Sequence, residues 1–144
     1  MTSIKRPLAT LGASVLLALS LTACGGGYPS DASSKDFCGG ITDVVTKSSD
    51  LAGEEPTEDE WKDIQGAYAD LGDIGTPEKI SDEEREGFEI VVDVVTDLDY
   101  EEAQKEFGDK GGEDNLPGVS DDENKKVEKF FEYAQKECAD AIAE

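Results

Sequence analysis

The sequence predicts an all-α fold: a small four-helix, up-down-up-down bundle with one disulfide, which follows a signal peptide and a flexible tether. Three observations lead to this prediction. Four segments carry apolar residues at helical spacing. Three of these segments open with a capping-box sequence. Two cysteines, Cys38 and Cys138, lie near the start of the first segment and near the end of the last.

The first two predicted helices lie in the first half of the domain. The first covers residues 35–49, and its apolar face consists of Phe37, Ile41, Val44 and Val45. Thr57 opens the second, because its hydroxyl and the carboxylate of Glu60 can form a capping box. Its apolar face consists of Trp61, Ile64, Tyr68 and Leu71.

The third predicted helix opens with Ser81 and Glu84, a second capping box. Its apolar face consists of Phe88, Val91, Val92, Val95 and Leu98. The β-branched run over residues 90–95 also allows a strand. The capping sequence and the charged Asp93 favour a helix. A shorter helical piece is predicted over residues 100–107.

The last predicted helix opens with Ser120 and Glu123 and carries one continuous apolar stripe. The stripe consists of Val127, Phe130, Phe131, Ala134, Cys138, Ala141 and Ile142. In an up-down-up-down bundle, the start of the first helix and the end of the last lie at the same end. Cys38 and Cys138 are therefore expected to meet.

An even pair of cysteines also favours a disulfide if the chain is exported, because disulfides persist outside the cytoplasm. A bridge between them closes a loop of about 100 residues, which stabilises the fold by about 4.7 kcal/mol on the loop-entropy model. A metal site is the alternative use of two thiols. It is disfavoured because the chain contains no histidine to complete the ligand set.

The amino terminus has the pattern of an export signal. Lys5 and Arg6 precede an uncharged, apolar run over residues 8–21. This run is about 14 residues long, whereas a transmembrane helix needs about 20.

The run ends in Leu21-Thr22-Ala23-Cys24, which resembles the lipobox of bacterial lipoproteins. The resemblance implies that the signal peptide, residues 1–23, is removed and that the Cys24 thiol carries a diacylglyceryl group. The protein would then lie on the extracytoplasmic face of the cell membrane. Ordinary cleavage after Ala23, or an uncleaved anchor, is the alternative. Residues 24–34 are predicted to be a flexible tether with a reach of about 18 Å, and residues 35–144 the acidic helical domain.

The charge of the chain is strongly negative. It has 35 acidic and 13 basic residues, a net charge of −22. Removal of Lys5 and Arg6 leaves 11 basic residues and a net charge of −24. This excludes nucleic acid as a partner, because phosphates would be repelled. A protein partner with a basic surface is favoured instead.

The sequence offers little catalytic chemistry. It has no histidine and no nucleophile or phosphate-binding motif, so we expect neither an enzyme nor a cofactor. The acidic loop over residues 108–123 offers oxygen ligands of the kind that calcium prefers, but not in the order of an EF-hand. Its candidate metal ligands are Asp109, Glu113, Asp114, Asp121 and Asp122.

Most of the domain is similar to a loose group of small exported proteins of high-G+C Gram-positive bacteria. The similarity lies in Phe37-Cys38, the central Trp61, the segment "TPEKISDEERE" from Thr76 to Glu86, and Cys138. The residue after Cys138 is Ala139, whereas that group often has glycine there. The resemblance implies no activity.

Two functions remain after these exclusions. The first is a non-catalytic protein-interaction module, which requires an exposed apolar patch surrounded by acidic residues. The alternative is a carrier or sensor that holds a small ligand or calcium in a cavity between helices. A structural spacer is a third reading of the same pattern.

Overall fold

A computed structural model describes residues 27–49, 56–105 and 116–142. These residues form six helices and no strand. The four long helices are α1 (Ser34–Ser49), α2 (Glu58–Ile74), α3 (Asp82–Asp97) and α5 (Asp121–Glu137). Two short helices complete the set: α4 (Tyr100–Ala103) follows α3, and α6 (Ala139–Ile142) follows α5. The predicted all-α class is confirmed, and the run over residues 90–95 is helical rather than extended.

Contacts between α1, α2 and α3 show that neighbouring helices run antiparallel. Gly40, near the start of α1, faces Leu71 near the end of α2. Lys47, near the end of α1, pairs with Asp63 of α2 at 3.5 Å. Gln65 of α2 donates a hydrogen bond to the Val95 carbonyl, near the end of α3, at 3.1 Å.

The fourth long helix, α5, completes the up-down-up-down order. Lys126 of α5 pairs with Glu86 of α3, and Lys129, one turn later, pairs with Glu83, one turn earlier. These pairs make α3 and α5 antiparallel. The end of α5 then returns to the start of α1, where the predicted disulfide forms.

All three predicted capping boxes are present, and each fixes the residue at which a helix begins. The N-cap amide donates to the glutamate three residues later at 2.7 Å for Thr57, 2.8 Å for Ser81 and 2.9 Å for Ser120. The hydroxyl of each cap accepts from the amide of the same glutamate. Two orphan groups at each helix start are thereby satisfied.

Aromatic rings form the centre of the core. Phe88 and Phe130 are almost fully buried and meet edge to face with ring centroids 5.5 Å apart. Phe37 lies 6.4 Å from Phe130, and Tyr28 lies 5.6 Å from Phe88. Such edge-to-face pairs add about 0.5–1.5 kcal/mol each beyond the area they bury. Four elements of the chain are therefore joined through one cluster.

Side chains of α2 donate hydrogen bonds to the backbone carbonyls at the carboxyl end of α3. The indole nitrogen of Trp61 donates to the Leu98 carbonyl at 3.0 Å. The Gln65 amide lies 3.0–3.1 Å from the carbonyls of Val95, Thr96 and Leu98. The last carbonyls of a helix lack intrahelical partners, so these donors hold the two helices in register.

The last predicted helix differs from the prediction in two ways. It is interrupted at Cys138, which separates α5 from α6. In addition, its apolar stripe is not buried throughout, because Phe131 and Ile142 are 40% and 38% exposed. Of the shorter piece predicted over residues 100–107, Tyr100–Ala103 is α-helical, and residues 106 and 107 lie outside the described residues.

Candidate functional site

The bridge between Cys38 and Cys138 is the predicted site feature that the structure confirms. Their sulfur atoms are bonded at 1.97 Å and their Cα atoms lie 5.2 Å apart. Cys38 lies in the second turn of α1, and Cys138 caps the end of α5. Both side chains are buried. The predicted lipidation site, Cys24, lies outside the described residues.

The predicted acidic ligand set is only partly described. Asp109, Glu113 and Asp114 lie outside the described residues. Asp121 and Asp122 occupy the exposed first turn of α5, where negative charge is favourable. Lys125 donates to Asp122 at 2.9 Å, and this bond lowers the pKa of the Asp122 carboxyl. Among the described residues, no three metal-ligating side chains are grouped to hold an ion.

None of the described helices has the length and apolar character needed to span a bilayer.

The amino-terminal segment, residues 28–33, does not behave as the flexible tether that we predict for residues 24–34. We call residues 28–33 the strap. The Thr76 amide donates to the Pro29 carbonyl at 3.0 Å, and the Ala32 amide donates to the Thr76 carbonyl at 3.1 Å. The strap is thus hydrogen-bonded to the turn between α2 and α3, and it belongs to the folded domain.

Two glycines make room for the strap on α2. Gly72 faces the ring of Tyr28, and a Cβ atom there would come 2.8 Å from Tyr28 Cε1. Gly75 has a φ of 76°, a region that side-chain-bearing residues rarely adopt, and Pro29 lies directly against it. The close approach of the strap therefore depends on the absence of side chains at these two positions.

Arg85 joins the strap to the bundle. Its Nη2 donates to the Tyr28 carbonyl at 2.7 Å, and its Nη1 donates to the Thr76 hydroxyl at 3.3 Å. Its Nε donates to Glu89 at 3.1 Å, and the two side chains of this ion pair are only 19% and 16% exposed. A planar guanidinium can serve three acceptors at once, which the compact ammonium of lysine cannot do in this geometry.

The Tyr28 side chain ends in a hydrogen bond of its own. Its hydroxyl donates to Asp93 Oδ1 at 2.5 Å. Burial, this hydrogen bond and the negative charge of Asp93 together raise the pKa of Tyr28 to about 12. The phenol is therefore neutral, and can donate this bond, at physiological pH.

Two apolar side chains remain exposed on α1 and α5. Val45 and Phe131 are 39% and 40% exposed. Val45 is seven residues after Cys38, and Phe131 is seven residues before Cys138. Seven residues are two helical turns, so each lies on the side of its helix that carries the bridged cysteine. We call Val45 and Phe131 the α1–α5 patch.

Acidic side chains accompany this patch on α5. Glu128 lies one turn before Phe131 and Glu132 directly follows it, and both are exposed. Asp121, Asp122 and Glu123 form the exposed first turn of the same helix. Lys129, also exposed, lies two residues before Phe131. Carboxylates therefore outnumber, but do not exclude, basic groups along α5, as the interaction-module hypothesis requires.

The grooves of the described surface are open to solvent. One of about 460 Å³ runs between α1 and α2 and contains both Asp43 and Lys47. Another, of about 340 Å³, lies beside Trp61 and Tyr100 at the end of α3. Ligand pockets usually bury most of their ligand and are mainly apolar. Both grooves are open to solvent along one side and would leave much of a bound ligand exposed.

The strap and the buried Asn124 are two features that the sequence pattern does not predict. The strap lacks helical periodicity, and only the solitary arginine of the domain, Arg85, hints that a special contact exists. Asn124 is 5% exposed, and its Oδ1 accepts a hydrogen bond from the Leu116 amide at 3.1 Å. It holds the turn before α5, although its polar type predicts an exposed position.

Comparisons with protein-family models, with curated proteins and with solved structures found no match to this chain.

Proposed function

We propose that this protein is a membrane-anchored, extracytoplasmic lipoprotein whose acidic bundle is a non-catalytic module that binds a protein with a basic surface. The observation that carries the proposal is the exposure of Phe131 among the carboxylates of α5. Aromatic residues, Phe among them, are enriched at the centres of protein interfaces, which a polar rim surrounds. Phe131 contacts Phe130 with ring centroids 5.4 Å apart but stays 40% exposed, whereas Phe37, Phe88 and Phe130 are almost fully buried.

The charge of the domain specifies the partner's chemistry. The residues after the predicted cleavage site have a net charge of −24. Such a field attracts basic proteins and accelerates their encounter with the domain, and it repels anionic ones. Contacts of this kind weaken at high ionic strength, because the Debye length falls from about 8 Å at 0.15 M to 3 Å at 1 M salt.

The lipobox-like sequence supplies the location. A diacylglyceryl group on Cys24 carries two acyl chains, which suffice for stable anchoring where a single chain does not. The disulfide agrees with this compartment, since disulfides persist outside the cytoplasm. Anchoring would also keep the domain at a high local concentration near membrane-bound partners.

In situ crosslinking of the anchored protein, followed by identification of what co-purifies, tests this proposal. We expect one recurrent basic protein, whose recovery falls at high salt. Phe131→Ser should reduce its recovery. Glu128→Gln should reduce it more than Asp70→Asn, a change of equal charge on α2. No recurrent partner under several growth conditions would contradict the module and favour the ligand carrier.

A further inference from the structure

The strap determines how many residues separate the folded domain from Cys24, the predicted lipidation site. We propose that the strap is a latch. The chain between Cys24 and the folded domain, which we call the leash, is short while the strap is docked and keeps the anchored domain close to the bilayer. Release of the strap lengthens the leash and lets the domain move outward. This inference rests on the anchoring proposed above. It adds a defined height above the membrane, set by contacts within the domain.

Three independent sets of contacts hold the latch. The Tyr28 ring packs on Phe88 over Gly72, and its hydroxyl bonds to Asp93. The backbone of the strap exchanges two hydrogen bonds with Thr76. The partly buried guanidinium of Arg85 bonds to the Tyr28 carbonyl at 2.7 Å. A charged donor and a partly buried ring together give more than a surface contact would.

The change in leash length follows from the chain itself. With the strap docked, residues 24–27 separate the lipid from the domain, a contour of at most about 14 Å. With the strap released up to the start of α1 at Ser34, ten residues separate them, a contour of at most about 35 Å. The latch therefore changes the maximal height of the domain by about 20 Å.

The negative charge of the domain favours release of the strap. Anionic headgroups repel a domain of net charge −24, and this repulsion acts within about 8 Å at physiological ionic strength. With a contour of at most about 14 Å, the docked leash lets its attachment point on the domain move only a few ångströms beyond this range. Undocking relieves the repulsion, so low ionic strength should favour the released state.

Energy transfer in vesicles measures the height directly. Trp61, the only tryptophan of the chain, is the donor, and dansyl-labelled headgroups in phosphatidylcholine–phosphatidylglycerol vesicles are the acceptors. The lipidated protein is compared with Tyr28→Ala. Trp61 lies near the start of α2, whereas Tyr28 contacts Gly72 near its end. We expect transfer to fall about twofold or more in the variant, because the leash gains up to six residues.

Ser30→Ala is the matched control, since Ser30 is exposed in the middle of the strap. Its transfer should equal that of the wild type. Equal transfer in Tyr28→Ala and wild type, with both proteins bound to the vesicles and with fast exchange of the Ala32 and Thr76 amides in the variant, would overturn the latch but leave the anchor intact. Failure of the wild type to float with vesicles would overturn the anchor instead.

Amide hydrogen exchange in solution tests the latch without a membrane. The Ala32 and Thr76 amides are both donors to the docked backbone. Tyr28→Ala should speed their exchange about tenfold, while amides in the middle of α3 stay unchanged. Rapid exchange of both amides in the wild-type protein would show that the strap is not docked and would overturn the latch.

Discussion

Two junctions that involve α5 are closed in different ways. Against α3, the helix is closely packed: the Cα of Gly87 lies against the Lys126 backbone, and the Lys126–Glu86 pair lies alongside. Against α1, it is joined by the disulfide at one end, while Val45 and Phe131 remain exposed two turns away. The first junction rests on close backbone packing, whereas the second combines the Phe37–Phe130 contact and the disulfide with two apolar side chains that stay exposed.

The difference explains how an apolar patch can persist on a stable domain. A close-packed junction has no apolar surface left to offer, because its side chains are already in contact. The disulfide and the Phe37–Phe130 contact keep α1 and α5 together without requiring complete burial of Val45 and Phe131. The α1–α5 patch therefore stays available to a partner.

Loss of the disulfide should lower the free energy of unfolding more than the other changes to these two junctions. The bridge joins residues 100 positions apart, so the Cys38→Ala, Cys138→Ala double variant should lose about 4.7 kcal/mol of unfolding free energy on the loop-entropy model. Urea denaturation measures this loss. Reduced wild-type protein should unfold at a similarly low urea concentration. An unchanged midpoint would mean that packing alone closes the α1–α5 junction.

Two adjacent phenylalanines allow the buried and exposed sides of α5 to be compared directly. Phe130→Ala removes a core ring and should cost about 3–5 kcal/mol. Phe131→Ala removes a 40% exposed ring and should cost about 1 kcal/mol or less. The same denaturation experiment checks both. Equal costs would show that Phe131 serves the core, and would remove the basis of the proposed patch.

Substitution of Gly87 tests whether close backbone packing holds α3 and α5 together. A Cβ atom at this position would overlap the Lys126 carbonyl, so Gly87→Ala should cost about 1–3 kcal/mol through overpacking. Gly66→Ala is the matched control, because a Cβ atom there meets nothing within 4 Å. It should stabilise α2 by about 0.5–1 kcal/mol. A thermal unfolding series on both variants distinguishes close approach from helix propensity.

Surface ion pairs at the same junction should have the smallest effect. Lys129 lowers the pKa of Glu83 below its ordinary value of 4.5. Because the folded-state pKa is depressed, the contribution of the pair is present above about pH 4.5 and is lost as the pH falls. Both side chains are solvent-exposed, so Lys129→Ala should shift the unfolding midpoint only slightly, and less at high salt. A large shift of the midpoint would mean that ion pairs, rather than close backbone packing, hold α3 and α5 together.

The sequence predicts most of the fold because its signals are local. Each capping box needs only four consecutive residues, as in Ser81 to Glu84, and each apolar stripe repeats within one helix. The cysteine pairing follows once the helix order is known. These features determine the helices and their order without reference to long-range contacts.

The strap and the exposed patch could not be predicted, since they depend on contacts between distant segments. Tyr28 docks only because Gly72 and Arg85, distant in sequence, leave space and supply a donor. Phe131 has the spacing of a core residue, yet it lies at the edge of the buried stripe. Periodicity identifies an apolar face but not its exact width.

Photo-crosslinking from position 131 in living cells tests the central claim most directly. A benzoyl-phenylalanine at position 131 should capture one basic protein, and the same group at Asp70, an exposed position on α2, should capture little or none of it. Capture from position 131 alone is the result that the proposed module predicts. Equal capture from both positions, or none from either, would contradict a partner-binding site on the α1–α5 patch.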